Sequence, residues 1–111
     1  NAVLLIKTKL NQFELFKIIK SIEKKLGRKI ALKNHPRNCD IDILDFNGKI
    51  TKSNKKFINL EIPHPRMHNR NFVLMPLFEI CKNWSHPKLK KNIVKLLSSL
   101  KKNNLRSIKV I

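Results

Sequence analysis

Two aspartates separated by a single residue, in the run Asp40-Ile41-Asp42, are the side chains whose spacing points most directly to chemistry. The alternation around them predicts a strand, on which side chains two residues apart leave the same face about 6.6 Å apart. Both carboxylates can then address one site or a pair of magnesium ions, because Mg²⁺ prefers oxygen ligands. An exposed strand face with two solvated carboxylates is the alternative, and the spacing alone leaves both interpretations open.

A second polar cluster spans residues 63–72 and joins two prolines to histidine and arginine side chains. Arginine offers a planar fork of donors that suits phosphate, so Arg66 and Arg70 indicate phosphate recognition. An ordinary loop before a helix is the alternative. His64 and His68 have the spacing of two metal ligands on a helix, but the proline between them disfavours a helix and the cluster offers no third ligand.

Basic residues also precede the aspartates, at Lys29, Lys33 and Arg37, and they either fold over a bound anion or form ordinary surface charge. Over the whole chain, 25 lysines and arginines face 7 acidic residues, which gives a formal charge of +18. Such a charge favours nucleic acid through counterion release. The chain has neither an aromatic RNA-binding motif nor zinc-finger spacing, which disfavours nucleic acid as a partner, and a nucleotide is a smaller polyanion that the charge would also attract.

The composition of the 111 residues, 41% hydrophobic and 29% charged, suits one globular domain with a core. Its longest apolar stretches fall far short of the roughly 18 residues that a membrane-spanning helix needs, and no secretory signal is evident, so we expect a cytoplasmic protein without membrane contact. Cys39 and Cys81 are too few for a disulfide framework. Gly27 and Gly48 are the only glycines, which excludes a phosphate loop or a dinucleotide fingerprint.

The elements that must position these residues follow from periodicity and from capping and turn signals. A capping box of Asn11 and Glu14 begins a helix that is predicted over residues 12–26 and ended by Gly27. Leu15, Ile18, Ile19, Ile22 and Leu26 recur on it at helical spacing. Strands are expected at residues 2–8, 40–46, 49–51, 57–62 and 106–111.

A tight hairpin turn is predicted at Asn47-Gly48. A helix is expected over residues 69–81, where Pro76 must either occupy the first turn or impose a kink. A second long helix should begin near Ser85 and Pro87. Its core stripe would consist of Leu89, Ile93, Leu97 and Leu100. No repeat or linker interrupts the chain, so one α+β domain is the economical interpretation.

Three blocks of the sequence resemble hydroxymethyldihydropterin pyrophosphokinase of folate biosynthesis. They are Gly27-Arg28, residues 35–44 (HPRNCDIDIL) and residues 63–80 (PHPRMHNRNFVLMPLFEI). The patterns Pro-Arg-x-x-Asp-x-Asp and Pro-His-Pro-Arg-Met-x-x-Arg together form a strong signature. The likeness covers essentially the whole chain and weakens after about Trp84. The chain departs from the family pattern at Lys33 and Asn34, where many members carry arginine and tryptophan.

The resemblance implies a ferredoxin-like α+β sandwich, in which an antiparallel sheet packs with helices. It also implies Mg²⁺-dependent transfer of diphosphate from ATP to 6-hydroxymethyl-7,8-dihydropterin, with release of AMP. Asp40 and Asp42 would hold two magnesium ions, and Arg37 would join them as a catalytic residue. ATP contacts are implied for Glu23, Arg28, Lys33, Arg37, Ile43, His64 and Arg70. Asn1 would hydrogen-bond to the pterin and Phe72 would stack on it.

Relative to that family, residues 1–111 are expected to form a single, partial pyrophosphokinase domain that is truncated at its N-terminus and lacks the first strand and helix. The fragment alone need not be active. Other folate-pathway enzymes are further candidate partners. The alternative function is a small basic nucleic-acid-binding module on a degenerate kinase-like scaffold.

A sheet without its opening strand exposes an edge and an uncovered helix face. We therefore expect the isolated 111-residue chain to be marginally stable or to associate. Thermal unfolding followed by circular dichroism, together with sedimentation to measure the oligomeric state, checks this expectation. A monomer that melts within the range of complete domains, ~45–65 °C, would contradict it.

Overall fold

Helices and isolated β-bridges make up the regular structure of the described residues. The computed structural model describes residues 2–32, 40–54 and 59–100, except for the side chains of residues 28–32. The helices are α1 (Gln12–Leu32), a 3-10 helix (Met67–Asn69) and α2 (Asn71–Ile80), and residues 93–100 are also helical. The strand predicted over residues 106–111 lies outside the described residues.

The capping box predicted for α1 is confirmed at its first turn. The side-chain oxygen of Asn11 accepts the Glu14 amide at 2.8 Å, and the Glu14 carboxylate accepts the Asn11 amide at 3.1 Å. Both amides lie at the start of α1, where backbone amides have no carbonyl partner within the helix. The end predicted at Gly27 is wrong, because α1 continues to Leu32. A glycine ends a helix by adopting positive φ, and Gly27 does not do so.

The predicted strands do not form ladders in the part of the chain that is described. Residues 2–8 and 40–46 have no strand pairing. Thr51 and Ile62 form an isolated antiparallel bridge, with amide-to-carbonyl distances of 2.8 and 3.0 Å. Alternation in the sequence predicts a strand only if a neighbouring segment supplies the hydrogen bonds. The sheet of the expected sandwich is therefore not seen among these residues.

The turn predicted at Asn47-Gly48 is confirmed. Both residues have positive φ, 51° and 71°, as the tightest hairpin turns require. Lys49 donates its amide to the Phe46 carbonyl at 2.9 Å, which closes the turn. The turn ends the segment that carries the two aspartates.

The helix predicted over residues 69–81 is confirmed as α2, in a slightly shorter form. Pro76 lies in its interior, where it has no amide hydrogen to donate to the carbonyl one turn earlier. Leu74 and Leu77 of the same helix are buried. Burial of this apolar face compensates for the hydrogen bond that the proline removes.

The helix predicted from Ser85 begins later than expected, at residue 93. Asn92 is its cap, because the Asn92 side-chain oxygen accepts the Lys95 amide at 2.9 Å. Ser85 instead forms an isolated bridge with Asn92, so the residues between them form a closed turn. Ser85 and Pro87 have the residue types of a helix start but do not begin one. The helix begins after Asn92, whose side chain caps it.

The hydrophobic core lies between the 3-10 helix, α2 and the helical residues 93–100. Its buried members are Met67, Leu74, Leu77, Ile93 and Leu96. Leu44, which follows the two aspartates, packs against this cluster, as do the partly buried Leu97 and Leu100. Leu89 was predicted in the same stripe but lies outside the helix and is 39% exposed. The core thus anchors the aspartate segment through Leu44.

Several large apolar side chains are exposed in the described structure. Residues 4–6 are 82%, 73% and 56% exposed. On α1, Ile19 is buried, whereas Ile18 and Ile22 are 46% and 42% exposed. Much of the apolar face predicted for α1 is therefore not covered by the described residues. None of the described helices is both long enough and apolar enough to span a bilayer.

Replacing Asn11 with alanine should lower the free energy of unfolding by about 1 kcal/mol, because it removes the cap of the Glu14 amide. Asn11→Asp is the control, since aspartate accepts the same hydrogen bond. Urea unfolding followed by circular dichroism measures both variants. Equal stability of Asn11→Ala and wild type would show that the capping box contributes nothing.

Candidate active site

The two aspartates lie on one exposed side of residues 40–46. Asp40 and Asp42 are exposed, the Asp42 side chain by 58%, whereas Ile41 and Ile43 are partly buried. The alternation predicted from the sequence is therefore present in the burial pattern, although no strand partner supports it. Both carboxylates face outward, and the side chains of Ile41 and Ile43 face inward.

Glu23 of α1 contacts the aspartate segment directly. Its carboxylate oxygen Oε2 accepts the Ile41 amide at 2.9 Å, and its other oxygen, Oε1, lies 3.1 Å from the Lys20 ammonium. Partial burial disfavours the charged form of Glu23, but the Ile41 amide and Lys20 favour it more strongly, so the pKa of Glu23 lies below its ordinary value. Glu23 is therefore an ionised group that is held against the backbone between the two aspartates.

His64, which precedes the 3-10 helix, also contacts the aspartate segment. Its amide donates to the Leu44 carbonyl at 3.2 Å. Its ring nitrogen Nε2 lies 3.8 Å from the Asp42 carboxylate, and its other ring nitrogen, Nδ1, accepts the Arg66 amide at 3.2 Å. Because Nδ1 accepts a hydrogen bond, the neutral ring carries its proton on Nε2, which faces Asp42.

Arg70 and Phe72 lie at the start of α2 and contact each other. The central carbon of the Arg70 guanidinium lies 5.6 Å from the centre of the Phe72 ring, a cation–π distance. The Arg70 carbonyl accepts the amides of Val73 and Leu74, both at 3.0 Å. Phe72 is 50% exposed. A positive charge and a flat apolar surface are therefore presented together.

The donor set of the aspartate segment suits a hard cation. Asp40 and Asp42 supply exposed carboxylate oxygens from alternate positions, which is the chemistry that Mg²⁺ prefers. Among the described residues, no group of three or more His, Cys, Asp or Glu is arranged to hold a metal ion. Mg²⁺ commonly takes one or two carboxylates from the protein and completes its shell with water and phosphate oxygens. The two aspartates fit that pattern.

The other predicted site residues have different outcomes. Ile43 is partly buried within the aspartate segment. Arg28 lies in α1, where the structure describes its backbone but not its side chain. Asn1, Lys33 and Arg37 lie outside the described residues, as does Cys39. The structure thus brings Glu23, Asp42 and His64 to one segment, and it pairs Arg70 with Phe72.

A buried polar cluster behind this segment was not predicted. His86 is 3% exposed, and its ring packs edge-on against His68 and Trp84, with centroids 5.9 and 5.7 Å away. Within the described residues, Asp45 Oδ1 and His68 Nδ1 are buried without a hydrogen-bond partner. No local sequence pattern signals this cluster, because its members come from three separate segments.

A cavity of about 160 Å³ borders the cluster and is lined by His64, His68 and His86, among other residues. Thr51 and Ile62, the bridged pair, form part of its wall. Neither Asp40 nor Asp42 lines it. His64 therefore borders the cavity and also contacts the exposed carboxylate of Asp42.

Comparison with known proteins identifies a family. The sequence model of 7,8-dihydro-6-hydroxymethylpterin-pyrophosphokinase (HPPK) matches residues 1–82. The chain is 47% identical over 81 residues to the 2-amino-4-hydroxy-6-hydroxymethyldihydropteridine pyrophosphokinase of Bacillus subtilis, an alignment that covers 73% of the chain and 46% of that protein. It is 41% identical over 87 residues to the enzyme of the same name from Aquifex aeolicus, covering 78% of the chain and 52% of that protein.

A longer relative is the folic acid synthesis protein FOL1 of Dictyostelium discoideum. It is 45% identical over 89 residues, which are 80% of the chain and 13% of that protein. The chain spans about half the length of the two bacterial relatives and a much smaller share of this one.

Stability should depend on pH through His86. Burial, and then the neighbouring His68, lower the pKa of His86, with a smaller effect in the same direction from Lys88, whereas Asp45 acts in the opposite direction. The unfolded chain therefore binds this proton more readily, so the contribution of His86 to stability is complete above its ordinary pKa of 6.5 and declines as pH falls through the depressed value. We expect the melting temperature to decrease from about pH 7 to about pH 5.

His86→Asn is the test variant, because its side-chain oxygen can still accept the Lys88 and Leu89 amides that His86 Nδ1 accepts at 3.2 and 3.0 Å. The difference in melting temperature between wild type and variant should shrink as pH falls. A difference that does not change with pH would contradict the expectation.

Proposed function

The chain belongs to the 7,8-dihydro-6-hydroxymethylpterin-pyrophosphokinase (HPPK) family, and on that premise we propose that it is part of an enzyme that transfers diphosphate from ATP to 6-hydroxymethyl-7,8-dihydropterin. In this reaction the pterin hydroxyl oxygen forms a bond to the β-phosphorus of ATP. The bond from the β-phosphorus to the α–β bridging oxygen breaks, AMP leaves and the hydroxyl proton is released. The product is the pterin diphosphate of folate biosynthesis.

The family has an α+β fold. We propose further that residues 1–111 are a partial domain of a ferredoxin-like sandwich, to which a first strand and helix are added in the complete domain. The exposed apolar side chains of residues 4–6 and of Ile18 and Ile22 are consistent with surfaces that such elements would cover.

Asp40 and Asp42 are the residues that would hold two magnesium ions, since both carboxylates are exposed on one side of the segment. Bound Mg²⁺ would neutralise the negative charge of the triphosphate and make its phosphorus atoms more electrophilic. The protein then needs no covalent intermediate, because positioning and charge neutralisation supply most of the acceleration in phosphoryl transfer.

Basic side chains would bind the phosphates. His64 and Arg70 are the described candidates, since the His64 imidazole lies beside Asp42 and the partly buried Arg70 contacts the half-exposed Phe72 ring. Arg37, Arg28 and Lys33 are further proposed phosphate contacts. Ile43 is proposed to pack near the adenine, and Glu23 is proposed to act near the nucleotide.

The pterin would stack on Phe72, whose ring is half exposed and rigidly attached to the start of α2. Asn1 is proposed to hydrogen-bond to the same ring system. Because Arg70 contacts Phe72, a phosphate held by Arg70 would lie close to a pterin on Phe72. That proximity is what a direct transfer between the two substrates requires.

One observation supports the proposal most: the contacts of Glu23 and His64 with the Asp40–Asp42 segment. Residues far apart in the sequence hold two acidic side chains outward at one position. Two carboxylates on one exposed side of a short segment repel each other, and a bound cation would relieve that repulsion. A magnesium–nucleotide complex supplies that cation together with phosphates for the basic groups.

The test is pterin-dependent release of AMP from ATP and Mg²⁺ by the natural gene product that contains this chain. Asp42→Asn should reduce kcat/KM on the order of 100-fold or more, because it removes a charge that the transition state uses. Glu79→Gln is the matched control, since Glu79 is an exposed carboxylate on α2 outside the site. Wild-type activity in Asp42→Asn, or no AMP from the folded wild type, would contradict the proposal.

The high positive charge keeps the nucleic-acid-binding module as the competing function. Asp40→Ala distinguishes the two, because it should abolish binding of Mg²⁺–ATP by a pyrophosphokinase. It should leave RNA affinity unchanged or slightly higher in a nucleic-acid-binding module, since it removes a negative charge. RNA affinity would also fall steeply with added salt.

A further inference from the structure

The contact between α1 and the aspartate segment has a geometry that a direct nucleotide ligand would not need. Glu23 Oε2 accepts the Ile41 amide at 2.9 Å, and Ile41 is the residue between the two aspartates. Glu23 Oε1 is 3.1 Å from Lys20. Each carboxylate oxygen therefore already has a partner within the chain, and the side chain is only 15% exposed.

We propose that Glu23 is a positioning residue that holds the Ile41 amide and thereby sets the direction in which Asp40 and Asp42 present their carboxylates. The proposal rests on the proposed function, because it assigns those carboxylates to a divalent cation. In this proposal Glu23 does not contact the nucleotide directly. It acts through its hydrogen bond with the Ile41 backbone amide.

The backbone of residues 40–44 has no strand ladder to hold it within the described residues, so its orientation depends on individual contacts. The His64 amide holds the Leu44 carbonyl at 3.2 Å, and Leu44 packs against the core. The Glu23 contact holds the other half of the segment. Loss of that contact would leave Asp40 and Asp42 free to rotate while Leu44 stays in place.

The negative charge of Glu23 strengthens its contact with the Ile41 amide. A hydrogen bond from an amide to an ionised carboxylate is roughly twice as strong as one between neutral groups. Lys20 fixes the second oxygen, so the carboxylate has a defined orientation. A negative charge close to two aspartates is unfavourable by itself, so its presence here calls for a role. Holding the amide that lies between two metal-binding side chains is such a role, and groups of this kind typically change metal affinity 10- to 100-fold when removed.

The experiment measures divalent-cation binding without turnover. Mn²⁺ replaces Mg²⁺, and its binding is followed by electron paramagnetic resonance in the presence of α,β-methylene ATP. In this analogue a methylene group replaces the α–β bridging oxygen, whose bond to the β-phosphorus would have to break in the reaction. Glu23→Ala in the natural gene product should bind Mn²⁺ about tenfold more weakly. Glu23→Gln, whose amide oxygen can still accept the Ile41 hydrogen bond, should retain most of the affinity.

Glu14→Ala is the matched control. It removes a carboxylate from the same helix and a capping contact with Asn11, so it lowers helix stability without touching the aspartate segment. The Ile41 amide proton provides a second readout by nuclear magnetic resonance. Its chemical shift should change less with pH in Glu23→Gln than in wild type, because the variant lacks only the contribution of the Glu23 carboxylate.

Three results would overturn the proposal. Unchanged Mn²⁺ affinity in Glu23→Ala with a raised KM for ATP would mean that Glu23 contacts the nucleotide. Equal losses of Mn²⁺ affinity in Glu23→Ala and Glu14→Ala would mean a purely structural role. An Ile41 amide that does not respond to Glu23 would exclude the contact, and this measurement with Glu23→Gln decides the matter even if Glu23→Ala does not fold.

Failure of the proposed function is a separate result. Wild-type protein that yields no pterin-dependent AMP but binds Mn²⁺ in a Glu23-dependent way would contradict the pyrophosphokinase reaction and support the positioning role. Wild-type protein that binds no Mn²⁺ with the nucleotide analogue would overturn both.

Discussion

The backbone of residues 40–44 has to be held in place without a strand ladder, and the rest of the candidate site depends on how that is done. Polar backbone groups that leave water need partners elsewhere in the protein. The Ile41 amide donates to the Glu23 carboxylate of α1, and the Leu44 carbonyl accepts the His64 amide. These two hydrogen bonds join the first helix to the segment before α2, so the aspartates lie where two separate parts of the chain meet.

The charge distribution places a small negative site within a strongly positive chain. The chain carries +18 overall, yet two exposed carboxylates stand together at the point where Glu23 and His64 converge. A strongly positive surface raises the local concentration of polyanions and accelerates their encounter, independently of any specific contact. A small negative site within such a surface can retain a divalent cation that the surrounding lysines would repel. The two features suit a ligand that is itself a polyanion with bound cations.

Much of the local structure could be predicted from the sequence, because it depends on neighbours in the chain. The Asn11–Glu14 capping box and the Asn47-Gly48 turn rest on contacts within a few residues, and the outward position of the aspartates follows the polar–apolar alternation of their segment. The strands predicted over residues 2–8, 40–46 and 49–51 form no ladder within the described part of the chain, because alternation does not specify a partner. The contact of Glu23 with Ile41, and that of His68 with His86, join residues 18 apart or in separate segments, and no local pattern encodes them.

The core and the site share one short stretch of chain, which couples stability to function. His64 and Arg70 stand on either side of Met67, which is fully buried. The Met67 amide donates to the His64 carbonyl at 3.3 Å, and the Arg70 amide donates to the Met67 carbonyl at 3.2 Å. Since Leu44 packs against the same core, the aspartate segment and the basic side chains share a single apolar anchor. Packing changes at Met67 would therefore move the candidate ligands of the cation and of the phosphates together, and hydrophobic burial sets the distance between them jointly with the hydrogen bond from the His64 amide to the Leu44 carbonyl.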